Sequence, residues 1–124
     1  MREIAWRTVE LSPPWRTEAQ ARGFSLREIG KRRAGGPIEM SSLQIGSVHI
    51  LNLPGEPMVA FQRYAQDLVP DGFVAVASCG DSNTGYICTE KAFSEGGYEP
   101  RRSALAPHAE TAVKKAIRDL LGVK

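Results

Sequence analysis

Apolar and polar positions alternate at the start of the chain. Ile4-Ala5-Trp6-Arg7-Thr8-Val9-Glu10-Leu11 predicts a strand that Pro13-Pro14 ends. Residues 17–33 read as helical, with capping-box patterns at Thr17/Gln20 and Ser25/Glu28, a break at Gly23 and a stop at Gly35-Gly36. Residues 43–45 and 48–53 are β-branched and apolar, and Gly46-Ser47 between them suits a two-residue hairpin turn. After Pro54-Gly55, Met58, Phe61, Tyr64, Ala65 and Leu68 recur at helical spacing, with Pro57 suited to the first turn. Residues 73–78 are continuously apolar up to a final serine and predict a strand buried on both faces. Strand, helix and strand then form a βαβ unit with parallel strands.

A Gly- and Asp-rich loop follows over residues 79–85, then a short strand, Tyr86-Ile87-Cys88. Thr89 caps a short helix that Gly96-Gly97 ends. In the last helix Ala109, Ala112, Val113, Ala116, Ile117, Leu120 and Leu121 form one stripe, with Lys114, Lys115 and Arg118 outside it. The fold class is therefore mixed α/β. We expect a small mixed sheet with a βαβ unit, flanked by about three helices, in one domain over residues 1–124.

Composition narrows the partners. The 124 residues are 42% hydrophobic and 24% charged, an ordinary globular balance. A net charge of +2 implies no polyanion, so no nucleic-acid partner is expected. No apolar run reaches the roughly 20 residues of a membrane-spanning helix, and the first ten residues lack a signal-peptide core. Nothing here assigns a compartment. Cys79 and Cys88 do not make a disulfide scaffold, and free thiols are the expected state.

In open α/β sheets ligands gather at the carboxyl ends of strands. Two loops lie there, Leu53-Pro54-Gly55-Glu56-Pro57 and the segment from Cys79 to Tyr86. Glu56 reads as a helix-start carboxylate favoured by the macrodipole or as a ligand. Asp81, Ser82 and Asn83 are ordinary turn formers, and Tyr86 and Tyr98 read as ring packers or as site phenols. His49, within an apolar strand, reads as a satisfied core or edge histidine, and His108 as a capping-region residue. Lys31-Arg32-Arg33 reads as a solvated helix end.

Leu53-Pro54-Gly55-Glu56-Pro57, then Gly85-Tyr86-Ile87-Cys88-Thr89-Glu90-Lys91-Ala92-Phe93, then Gly97-Tyr98-Glu99 resemble the neutral/alkaline ceramidase family in order and spacing. Leu105-Ala106-Pro107 ahead of Glu110 adds to the likeness. It covers residues 38–121 well and residues 1–37 poorly, and the chain looks like the C-terminal portion of such a catalytic domain. The resemblance implies a zinc-dependent amidase that cleaves the N-acyl bond of ceramide. By it, Glu56 and Tyr86 match metal-binding residues and Tyr98 matches the tyrosine at the scissile amide oxygen. A carboxylate is a good zinc ligand, and a phenol can donate to a developing oxyanion.

The family's two zinc-binding histidines, arginine and serine lie upstream, and no matching motif precedes Glu56 here. The loop at Cys79-Gly80-Asp81-Ser82-Asn83 also departs from the family's. The chain alone is therefore expected to bind zinc weakly or not at all and to lack amidase activity. Its expected partners are a second copy, in a homodimer, or the missing N-terminal portion of the catalytic domain. The alternative is a non-catalytic α/β structural or interaction domain. A thiol hydrolase using Cys79 with His49 or His108 is a third reading, although nothing in the sequence activates that thiol.

Overall fold

Gly46, at φ +60°, and Ser47 turn the chain between β2 (Ile38–Ile45) and β3 (Val48–Asn52), as the hairpin signal predicts. A computed structural model describes residues 3–17, 36–79 and 84–124. β1 (Ile4–Leu11) pairs antiparallel with β2 over all eight residues, which extends β2 back to Ile38, beyond the apolar stretch at residues 43–45. Glu39, Ser41 and Ser42 hide that extension from a hydrophobicity pattern, whereas the full ladder with β1 holds it.

The βαβ unit forms. Helix α1 (Val59–Leu68) leads from β3 to β5 (Phe73–Ala77), which lies parallel to β3. Strand order in the four-stranded sheet is β1-β2-β3-β5. β5 is thus an edge strand among the described residues, and the expectation of burial on both faces is corrected: Val74 is buried, but Phe73 is 61% exposed. A second correction concerns Glu56 and Pro57. They form the short strand β4 (Glu56–Pro57), parallel to β6 (Tyr86–Ile87), and not the first turn of a helix. The helix starts two residues later, with Met58 as its N-cap.

Two short helices follow, α2 (Glu90–Glu95) and α3 (Tyr98–Arg101), and then α4 (Ala109–Leu121), which spans the stripe read from the sequence. The described residues form a mixed α+β fold with a four-stranded sheet, a two-stranded sheet and four helices. Helices α1 and α4 pack on one face of the larger sheet, burying Leu51, Phe61, Val74, Val113, Ile117 and Leu120. The opposite face keeps Ile4, Trp6, Ile50 and Phe73 exposed.

His49 points into the helix-covered side and is buried, but its Nδ1 has no hydrogen-bond partner among the described residues, so it is not the satisfied histidine expected. His108 is the N-cap of α4 and makes no side-chain capping bond. The expected helix at residues 17–33, including its basic run, lies outside the described residues except for Thr17, as do Asp81, Ser82 and Asn83.

Candidate functional site

Both loops open at the carboxyl ends of the parallel strands, as the topology requires. The Leu53 N–H donates to the Ala77 carbonyl at 2.9 Å, and the Cys79 N–H to the Gly55 carbonyl at 2.7 Å, so the two strand ends leave the sheet side by side. Gly55 turns the chain toward β4 at φ +60°. A Cβ there would meet the Gly85 carbonyl oxygen at 2.3 Å and Thr84 Oγ1 at 2.5 Å. Only glycine allows both the left-handed backbone and that close approach.

This contact aligns β4 with β6. The Glu56 N–H donates to the Gly85 carbonyl at 3.0 Å and the Met58 N–H to the Ile87 carbonyl at 3.0 Å. Glu56 and Tyr86 stand opposite one another in the parallel register, on the same side of the ribbon. The Tyr86 hydroxyl donates to the Glu56 carboxylate, and this bond raises the phenol above its ordinary pKa. Desolvation and the nearby negative charge act in the same direction, so Tyr86 is a neutral phenol at pH 7.

Tyr98, the first residue of α3, sets its ring edge-to-face against Tyr86, centroids 5.9 Å apart and planes at 77°. The Arg102 guanidinium also lies over the Tyr98 ring, 5.2 Å from its centroid. Tyr98 is 58% exposed and so is available to a ligand from solvent.

A cleft of about 430 Å³ runs past these groups, lined by Glu56 to Ala60, Ser78, Cys79, Tyr86, Thr89 and Glu99. The structure thus brings Glu56 and Tyr86 to one cleft and sets Tyr98 behind Tyr86, outside the lining. Sequence reasoning missed Glu99, the second carboxylate on the wall, although the Tyr98-Glu99 pair was its signal. Two carboxylates give the cleft an acidic character suited to a cation. Among the described residues no group of three or more His, Cys, Asp or Glu side chains is placed to hold a metal ion.

The thiol reading gains nothing from the cleft. Cys79 is exposed and lines it in a left-handed conformation, φ +60°, but neither His49 nor His108 does. Cys88 is buried, and desolvation pushes its thiol up to about 11. Both thiols are free.

No family model matches this sequence, and no curated protein matches it. Solved structures do. The chain is similar to the neutral ceramidase from Pseudomonas aeruginosa with a TM-score of 0.66 at 12% identity, over 98% of this chain and 29% of that one. It is also similar to a ceramidase complexed with C2, with a TM-score of 0.58 at 16% identity, over 70% of this chain and 15% of that one. At such identities the likeness is one of fold, and the chain spans under a third of either protein's length.

Proposed function

We propose that this chain is a portion of a zinc-dependent amide hydrolase resembling neutral ceramidase, inactive alone, which supplies one metal-binding carboxylate and two phenols to a shared site. The observation that carries the reading is the Glu56–Tyr86 pair, held side by side by β4 and β6 at the wall of the cleft. The fold likeness to two ceramidases supports hydrolysis of an N-acyl amide as the reaction class.

The donor chemistry fits. Glu56 offers a carboxylate oxygen of the kind zinc accepts, with the Tyr86 phenol in the facing register position. Catalytic zinc takes about three protein ligands, so the remaining donors must come from outside the described residues. Zinc, when bound, polarises a carbonyl and acidifies a bound water. Tyr98 sets its ring edge-to-face on Tyr86, and by the family likeness its phenol would donate to the oxygen of the scissile amide. Arg102 over the ring fixes the orientation of Tyr98. The open apolar face of the sheet favours a second reading, a non-catalytic interaction domain with the same fold.

Calorimetric titration with Zn2+ separates the two. For the hydrolase portion we expect weak binding by the 124-residue chain, weakened further by Glu56→Gln and by Tyr86→Phe, and no N-acyl hydrolysis. Binding indifferent to both substitutions would support the interaction domain. A tight one-to-one complex, or hydrolysis by the chain alone, would contradict an incomplete site.

A further inference from the structure

The face of the four-stranded sheet opposite α1 and α4 is apolar from edge to edge. In register, Ile4 stands opposite Ile45, Ile45 opposite Val48, and Val48 opposite Phe73. One step along the strands, Trp6 stands opposite Leu43, Leu43 opposite Ile50, and Ile50 opposite Ala75. Residues opposite in register share a face, so two apolar rows cross all four strands without a charged side chain. Ile4 is 71% exposed, Trp6 62% and Phe73 61%. With Ile45, Val48 and Ile50 they present on the order of 600–700 Å², above the ~300–600 Å² of the largest patch on a typical monomer and near the ~800 Å² each partner gives a standard interface.

We propose that a second copy of this chain packs on this face, sheet on sheet, about a twofold axis that runs along the strands between β2 and β3. Such an axis exchanges β1 with β5 and β2 with β3 and sets each row on its own copy. Trp6 then meets the partner's Ala75, and Ile4 meets the partner's Phe73. Leu43 meets the partner's Ile50, and Ile45 meets the partner's Val48. The second row grades from the largest side chain at one edge to a methyl group at the other. The twofold therefore places large on small, as an isologous interface requires. An axis across the strands would instead stack each strand on its own copy and set Trp6 on the partner's Trp6 or Ile4, large on large. The next row, Thr8, Ser41, Asn52 and Ala77, is polar and small, and the Glu10–Glu39 pair beyond it faces no strand of the second copy. Aligned sheets at about 10 Å spacing accommodate this interdigitation.

This proposal does not rest on the hydrolase reading. A dimer whose zinc affinity is indifferent to Glu56, or zinc binding by a monomer, would separate the two. Sedimentation velocity on the purified chain over a range of concentrations tests it. We expect a monomer–dimer equilibrium that Trp6→Lys shifts to monomer with an unchanged far-UV circular dichroism spectrum. Ile4→Lys, at the most exposed of these positions, gives the same readout should the first variant fail to fold. Ala75→Trp overpacks the interface and should weaken the dimer about ten- to hundredfold. The double variant Trp6→Ala/Ala75→Trp restores it, because the large and small positions are exchanged. A chain that stays monomeric at every concentration overturns the proposal and leaves the face to another polypeptide. A dimer unmoved by both lysine variants places the contact elsewhere, and a double variant no tighter than Ala75→Trp rules out this axis.

Discussion

Gly55 joins the βαβ unit to the cleft, and the reason it is glycine lies in two carbonyl contacts. Its own carbonyl accepts from Cys79, and the Gly85 carbonyl occupies the space a side chain would need. Gly55→Ala combines a left-handed backbone with a collision against main chain, which cannot move aside as a flexible side chain can. We expect a loss of about 3 kcal/mol or more in urea unfolding. His49 sets a pH dependence. Burial, and then the Arg7 charge, hold its pKa below the ordinary value of about 6.5. Above that value the imidazole is neutral in both folded and unfolded chain and has no effect. As pH falls through it, the unfolded chain takes up a proton that the fold resists, so stability declines until the folded pKa is reached. We expect Tm to drop between about pH 7 and 5, with the slope reduced in His49→Leu. The position of His49 in an apolar strand was legible from the sequence; its unpartnered nitrogen depends on what α1 and α4 bring over the strand.

Among the elements, α2 depends strongly on its ends, because six residues make few internal hydrogen bonds. The Thr89 hydroxyl accepts the Ala92 N–H at 3.2 Å, and the Glu110 carboxylate accepts the Glu90 N–H at 2.7 Å, which ties α2 to the first turn of α4. Thr89→Ala should cost about 1 kcal/mol by chemical denaturation. α4 has the opposite character. Its stripe matches the helical period and buries Val113, Ile117 and Leu120 completely, so its bounds could be read from the chain. β5 was recognised as a strand but misjudged in its surroundings. A run such as Phe73-Val-Ala-Val-Ala suggests burial on both faces, yet α1 and α4 cover only one face of the sheet and leave Phe73 on the open one. The short β4 could not be recognised at all, since Pro57 after a carboxylate gives the same local signal for a helix start.

Across the molecule, segments distant in the chain close on one core. Trp15 bridges to Leu105, the Arg16 guanidinium donates to the Pro100 and Ser103 carbonyls at 2.6 and 3.1 Å, and the Tyr64 hydroxyl accepts from Arg118 at 2.6 Å. One cluster joins residues of β2, β3, α1, β5, β6 and α4. We therefore expect a single cooperative thermal transition; two resolved transitions would contradict a single domain over residues 1–124. Local sequence was enough for the hairpin at Gly46-Ser47, the cap at Thr89 and the period of α4, whereas Glu56, Tyr86 and Tyr98 became candidates only through the family resemblance. The first three depend on contacts within a few residues or on the periodicity of one element. The meeting of Glu56 with Tyr86 through a two-stranded ribbon, the place of Glu99 on the cleft wall, the edge position of β5 and the open apolar face depend on which strands become neighbours. A side-chain period records how much of an element is buried; it carries no information about the partner that buries it, or about a face whose partner lies outside the fold.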